Sequence, residues 1–445
     1  MKTPICDFVK NYGEGKSARL HMPGHKGAPL LGFEHLDITE IAGADSLYDA
    51  EGIIAESEAN ASSLFGAHTF YSTEGSSLCI RAMMYMCVKY AREQEKKPLV
   101  FAGRNAHKTF LSAVALLDMD VKWLSPERNE SYLSCAITGE DVEKALAQAK
   151  TLPVAVYVTS PDYTGNLCDV RSIAEVCHKY GVLLVVDNAH GAYLKFTSPS
   201  MHPLDMGADM CCDSAHKTLP CLTGTAYLHV SKNAPDTLSG EAKNALAMFG
   251  STSPSYLLLQ SLDAVNAYLA DGYAQKLSRV SGLVSDIKNR LVDYGYRLTG
   301  NEPLKISMLP KSIGYEGVEL ARLLQSQDLV CEFADSDVCV VMLSPSNSDG
   351  ELQRLEQALL SVSKETAIET ACPSFSPATS AMSVREAMLS PSEELAVDQC
   401  NGKVLAAPSV SCPPAVPILV CGEVIDEAAI ERFKYYGIKK CRVVK

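Results

Sequence analysis

No apolar run in this chain approaches the roughly 18 residues needed to cross a bilayer, and the first twenty residues, MKTPICDFVKNYGEGKSARL, contain no apolar core of a secretory leader. The expected location is therefore the cytoplasm. Basic side chains are in deficit, 40 Lys and Arg against 53 Asp and Glu, for a formal charge of −13. Nucleic acids and anionic membranes are bound mainly through clustered Lys and Arg, so this balance argues against both and suits a small cationic ligand. Sixteen cysteines are present, yet no two have the two-residue gap of a zinc knuckle or a redox motif. They read as reduced thiols packed as small apolar residues. GEGKS at 13–17 ends like a phosphate loop, but Lys10 stands where the partner glycine belongs. His21 and His25 have the spacing of a helical zinc pair, and Pro23–Gly24 between them prevents the helix. No metal is expected.

What is there is an ordinary globular composition, 47% hydrophobic and 21% charged over 445 residues, long enough for two or three domains. From about residue 60 to 230, short apolar or β-branched runs alternate with helix-length amphipathic stretches: LVFAG (99–103), VAVYVTS (154–160), VLLVVD (182–187) and TAYLHV (225–230). Buried parallel strands have this character. Between the second and third runs, VRSIAEVCHKYG places Val170, Ile173, Ala174 and Cys177 at helical spacing and stops at Gly181, which makes a βαβ unit. The expectation is an α/β fold with a mostly parallel sheet, whose ligands sit beyond the carboxyl ends of the strands.

Residues 1–60 are punctuated by Gly and Pro and read as an extended arm; 61–256 form the large domain; 257–445 form a smaller α+β domain. The last begins with one long helical pattern from about 257, continues through PLKISML (303–309), VCVVML (338–343) and ELQRLEQALLSV (351–362), and crosses the surface at CPSFSPATSAMS (372–383).

The chemistry concentrates in VVDNAHG (185–191) and DSAHKTLP (213–220). Asp187 closes a strongly apolar strand, where a carboxylate is costly unless it meets a cation. Thirty residues on, Lys217 follows Ser214 and His216 in a turn. A surface lysine and an ordinary strand end would explain either residue singly. Together they suit pyridoxal phosphate, which needs an anion at its ring nitrogen, an amine for an imine, and polar groups at its phosphate. Ser72-Thr73-Glu74-Gly75-Ser76-Ser77 precedes a long helical pattern; Gly75 permits a tight turn, and the helix start offers N–H groups to an anion or only to its own cap. GRNAHKTF puts His107 in another strand-to-helix loop, as a flat partner for a ring or as a structural residue.

HMPGHKG, DITEIAGADSLYDAEGII, STEGSS, RNAHK, TSPDYTG, VVDNAHG and DSAHKTLP occur in the order found in the ornithine/lysine/arginine decarboxylases, and PPAVPILVCGEVID (413–426) is similar to their terminal segment. The chain resembles the short form of this family, without a receiver-like wing domain. The resemblance implies the aspartate-aminotransferase fold (fold type I) with pyridoxal 5'-phosphate as cofactor. It implies that Lys217 joins the cofactor as an imine, that Asp187 pairs with the pyridinium nitrogen, that His107 stacks on the ring and that His190 lies beside or beneath it. Gly75, Ser76, Ser214 and His216 would hold the phosphate together with Thr73 and Ser77, and Thr223 and Thr225 are further contacts. Thr159, Asp162 and Tyr163 fall near the ring hydroxyl or the substrate, unless Pro161–Gly165 is simply a turn. Asp45, Asp49 and Glu51 are candidates for a basic side chain's pocket.

The implied activity is decarboxylation of a basic amino acid, arginine before lysine or ornithine, within polyamine biosynthesis. The implied assembly is a homodimer or larger homo-oligomer with a shared site. The sequence leaves open another enzyme of the same fold, an aminotransferase, β-eliminating lyase or aldolase, and a non-catalytic regulatory protein that keeps the fold. The family's PPG glycine is Ala415 here, and the stretch after the lysine is Leu222-Thr223-Gly224-Thr225-Ala226.

Overall fold

A computed structural model describes residues 1–124, 131–370, 372–373, 378–408 and 414–445. Part of the expected crossing at 372–383, and Pro413 of the terminal segment, lie outside the described residues. The described chain forms two compact units, Met1–Lys97 with Leu183–Lys276, and Pro98–Val182 with Leu277–Lys445.

Seven strands carry the α/β pattern: β1 (His68–Ser72), β2 (Leu99–Gly103), β3 (Asp120–Leu124), β4 (Ala155–Thr159), β5 (Leu183–Asp187), β6 (Met210–Asp213) and β7 (Ala226–Val230). The four runs expected from apolar content are β2, β4, β5 and β7, within a residue or two at each end. In the first unit the order is β1-β7-β6-β5, and in the second β4-β2-β3. β5 and β6 are parallel, as are β2 with β3 and β2 with β4. β7 departs from the expectation of a parallel strand: it runs antiparallel to both β6 and β1. Its five residues are buried on both faces, so their hydrophobicity is the same for either direction.

In the first unit the stretch read as an extended arm begins with α1 (Pro4–Glu14) and ends inside α2 (Ile53–Phe65). Pro4 suits the first helical position, where no backbone N–H is required. The first turn of α1 is satisfied from far along the chain: Ile5 and Cys6 donate N–H bonds of 2.9 and 3.0 Å to Asp263 Oδ2, and Ser57 donates to its other oxygen at 2.6 Å. α3 (Gly75–Glu93) follows β1 and buries Leu78, Ile80, Met83, Met84 and Val88. Each such side chain contributes about 1.5–3 kcal/mol when withdrawn from water.

The second unit contains α4 (Lys108–Leu117), α5 (Gly139–Ala147) and α6 (Val170–Lys179). α6 is the helix expected between the second and third strands, and Gly181 takes φ +64° just beyond its end. α7 (Ala215–Thr218), α8 (Asp236–Phe249) and α9 (Tyr256–Ala270) belong to the first unit, and α10 (Tyr273–Tyr294) follows. The expected single long helix from 257 is thus two helices, divided at Asp271–Gly272, where Gly272 adopts φ +69°. Beyond it, β8 (Arg297–Thr299), β9 (Lys305–Leu309), β10 (Phe333–Ala334) and β11 (Cys339–Met342) form an antiparallel sheet in the order β10-β11-β9-β8.

The turn from β10 to β11 is organised by Asp335, whose Oδ1 accepts the N–H groups of Asp337 and Val338 at 2.8 and 2.9 Å. Burial raises its pKa to about 6, against those two hydrogen bonds. Because the folded value exceeds the unfolded one, the proton is bound more tightly in the fold, and stability is lost as pH rises from about 4 through about 6. Asp335→Asn keeps an acceptor for the turn and removes the buried charge. It is expected to leave thermal stability at pH 4 nearly unchanged and to raise it by up to about 3 kcal/mol at pH 8; equal melting shifts at both pH values would refute this.

Candidate active site

Strand direction assembles the site in the first unit. β7 is antiparallel to β1 and to β6, and β6 is parallel to β5, so β1, β5 and β6 all point the same way. The loops that follow Ser72, Asp187 and Asp213 therefore leave the sheet at one edge, the carboxyl edge at which such sheets bind ligands.

Asp187 is the last residue of β5 and is 3% exposed. Its Oδ1 accepts the N–H of Ala189 at 3.1 Å and the thiol of Cys212 at 3.6 Å. The loop it opens returns within four residues, through a Gly191 N–H bond to the Asn188 carbonyl, and carries buried His190. Lys217 lies on the single turn of α7, exposed, with Nζ 3.1 Å from His190 Nε2. An accessible amine beside an imidazole, on a loop that begins with a buried carboxylate, is a set able to form an imine, pass protons and stabilise a positive ring nitrogen.

An anion-binding geometry stands at the same edge. Gly75 takes φ +68°, a conformation strained for residues with a Cβ, and its N–H donates to the Gly224 carbonyl at 2.7 Å. The Glu74 side chain does not cap α3; it accepts instead from the N–H of Ser251. The positive end of this 19-residue helix thus has no side-chain cap from Glu74, and helix starts favour anions. Ser214 donates to the Ser76 hydroxyl at 2.8 Å, which joins the β6 and β1 loops at the helix start. Thr73 is buried in the same turn, and Ser77 is half-buried one residue after Ser76.

His216 Nδ1 bonds the Thr225 carbonyl at 2.7 Å, and the ring edge comes within 4.0 Å of where a Cβ on Gly75 would lie. Burial, aided by the charge of Lys217, lowers its pKa in spite of that hydrogen bond. The ring therefore meets the turn as a neutral group. Thr225 spends its hydroxyl on the Leu222 carbonyl at 2.8 Å, while Thr223 is exposed.

In the second unit His107 is the N-cap of α4: its Nδ1 accepts the N–H and hydroxyl of Thr109 at 3.2 and 2.9 Å, which fixes the ring plane. Arg104, on the same loop, forms a 2.5 Å ion pair with Glu423, and Lys108 donates its N–H to the Ala415 carbonyl at 2.9 Å. The RNAHK loop and the terminal segment, more than 300 residues apart, are thus neighbours. Burial lowers the pKa of Arg104 and raises that of Glu423, in each case against the attraction between them.

Asp162 is occupied by its own turn, its carboxylate accepting from the Thr164 N–H and hydroxyl and from both nitrogens of Asn166 at 2.8–2.9 Å. Tyr163 donates its hydroxyl to Glu332 at 2.8 Å. The turn reading describes both residues. Thr159 differs, with a buried hydroxyl at the end of β4 that has no hydrogen-bond partner among the described residues. Asp45 is likewise occupied: its oxygens accept N–H bonds from Ser46, Glu51, Gly52, Ile54 and Ala55, and these hold its pKa low although burial opposes them. Asp49 and Glu51 are exposed.

Sequence spacing gives no sign of one further cluster. His202, Cys211 and Asp213 bring donor atoms within 4.8 Å of one another, all buried. Asp213 Oδ2 accepts from His202 and His229, so these groups are engaged with each other.

The family model described as Orn/Lys/Arg decarboxylase, major domain, matches residues 3–291. The chain is 27% identical over 463 residues to an arginine decarboxylase of Bacillus subtilis (strain 168), covering 96% of this chain and 92% of that protein. It is 28% identical over 466 residues to an arginine decarboxylase of Halalkalibacterium halodurans, with the same coverage. The crystal structure of the Francisella novicida lysine decarboxylase LdcF shares the fold, with a TM-score of 0.81 at 15% identity over 100% of this chain and 81% of that one. Strand order, loop chemistry and a match across nearly two thirds of its length place this chain in the Orn/Lys/Arg decarboxylase family.

Proposed function

We propose that this protein is a pyridoxal-phosphate-dependent decarboxylase of a basic L-amino acid, arginine first, then lysine or ornithine, releasing CO2 and the corresponding amine. The observation that carries the reading is the Lys217–His190 contact of 3.1 Å on the loop opened by buried Asp187. Relatives named arginine decarboxylase support the reaction and favour arginine as the first substrate to test. The charge of −13 suits a cationic substrate. The working division that accompanies this reading is an arm at 1–60, a cofactor-binding domain at 61–256 and a C-terminal domain at 257–445, in a cytoplasmic homodimer or larger homo-oligomer. Among the described residues no helix is long and apolar enough to cross a membrane.

The donor set fits the cofactor: an accessible amine in Lys217, a buried acid in Asp187, and at the phosphate end the start of α3 with the Ser76 and Ser214 hydroxyls. When bound, pyridoxal phosphate supplies a conjugated acceptor for the electron pair left as CO2 departs. Asp187 holds a proton at the ring nitrogen, which keeps that acceptor strong. The family resemblance assigns His107 to stacking on the ring, and within its own unit that side chain is held by its cap on α4. Lys217 and His190 share one hydrogen bond, so a proton lost by either is replaced by the other; this pair returns a proton to the α-carbon.

The test is a competition assay: purified protein with pyridoxal phosphate and equimolar arginine, lysine and ornithine, with products identified by mass spectrometry. One dominant amine is expected, agmatine before cadaverine or putrescine. Keto acids in place of amines would favour an aminotransferase, and a protein that binds no cofactor would leave only the regulatory reading.

A further inference from the structure

Asp213, the last residue of β6, is fully buried and stands at the centre of a polar cluster. Its Oδ2 accepts from His202 Nε2 at 3.0 Å and from His229 Nε2 at 3.2 Å, and its Oδ1 accepts from the Asn188 amide at 2.6 Å. His229 Nδ1 takes the Thr69 hydroxyl at 2.9 Å, and His202 Nδ1 is buried with no partner among the described residues. With Nδ1 of His229 turned to the Thr69 hydroxyl, its Nε2 carries the proton toward Asp213, and burial lowers the pKa of His229. One buried carboxylate is thus met by three side chains from three separate segments. Charge-assisted bonds in such a dry setting are strong and directional.

Asn188 is the member that reaches the active site, since it lies between Asp187 and His190. Its main-chain N–H is fixed to the Cys212 carbonyl at 3.0 Å. Its side-chain oxygen lies so close under the loop that a Cβ on Gly191 would approach it to 2.0 Å, which only glycine avoids. On the other side, the chain passes from Asp213 directly into Ser214 and then Lys217.

We infer that Asp213 is a positioning residue: through Asn188 it fixes the loop that presents Asp187 and His190, in register with the turn that presents Lys217. It touches none of the reacting groups itself. The inference rests on the proposed decarboxylase reading of Lys217, Asp187 and His190.

The test compares wild type, Asp213→Asn and Asn188→Ala, each loaded with pyridoxal phosphate. Three quantities are read: the thermal midpoint, the shape of the bound cofactor's visible circular-dichroism band, and kcat and KM for the amino acid that wild type decarboxylates. Folded variants are expected with KM little changed, kcat lower by roughly 10- to 100-fold, and a band altered in wavelength or shape. Partial unfolding alone would lower the height of the band and preserve its form, so shape separates positioning from bulk stability. A folded Asn188→Ala with wild-type band shape and kcat would overturn the inference. If Asp213→Asn does not fold, Asn188→Ala decides; if neither folds, the cluster is a stability device and the inference is overturned. Should wild type bind cofactor but decarboxylate nothing, the functional reading fails while band shape still judges the positioning role. A wild type that binds no cofactor overturns both.

Discussion

Lys217→Ala is expected to lower amine release by about 10²- to 10⁴-fold, the range seen when a positioned proton-transfer group is removed, and to abolish the visible band of cofactor held as an imine. The lysine is exposed and lies on a helix of one turn, so its truncation opens no core cavity, although it removes the partner of buried His190 Nε2. Thermal stability without cofactor should be unchanged, which makes the loss attributable to chemistry. His190 keeps its place in a buried loop closed by main-chain bonds, so an added primary amine has a site to enter and should restore part of the rate. A variant that kept wild-type turnover would exclude Lys217 as the attachment point, and with it the proposed mechanism.

Asp187→Asn is the second large effect. Asparagine retains an acceptor for the Ala189 N–H, now at 3.1 Å, and so preserves the loop, but a neutral amide does not hold a proton on a ring nitrogen. The loss is expected to be about 10²- to 10³-fold in kcat, comparable to removal of a preorganised electrostatic partner of the transition state. Cofactor should still bind, since Lys217 and the start of α3 are untouched. Asp187→Ala adds an orphaned Ala189 N–H at a buried position and should cost about 1–3 kcal/mol of stability besides. Rates and melting curves for both variants separate the two effects; an Asn variant within threefold of wild type would show that the carboxylate serves the fold alone.

The parts of this molecule that could be read from sequence are those whose signal is local. β2, β4 and β5 announce themselves as buried β-branched runs, whereas Lys217 and Asp187 stand out only when taken together, each having an ordinary structural explanation alone. β6 did not, because MCCD is four residues long and carries no β-branched side chain. The direction of β7 was invisible, since burial on both faces looks alike from either end. The division of the long helix at Asp271–Gly272 did have a signal, the Asp-Gly pair, which was outweighed by apolar periodicity on both sides. α1 was obscured by the Gly- and Pro-rich stretch that follows it, although Pro4 marks its start. In the site, Asp162 and Asp45 have the residue type of functional acids, and only geometry reveals that backbone amides consume them. The cluster around Asp213 joins residues from β6, β7 and two loops, and no spacing along a chain can encode such a meeting.

The assembly of the first unit from Met1–Lys97 and Leu183–Lys276 bears on how the protein is made. A ribosome adding roughly 5–20 residues per second takes several seconds to deliver the residues between those two segments. During that interval β1 waits without β7, its hydrogen-bonded neighbour, and α3 without α8, against which it packs. The apolar face of α3 is therefore solvent-exposed on the nascent chain for longer than a contiguous domain would require. The same delay keeps the Gly75 turn apart from Gly224 and Lys217, so the active site cannot assemble until the chain has grown past residue 224, about half its length.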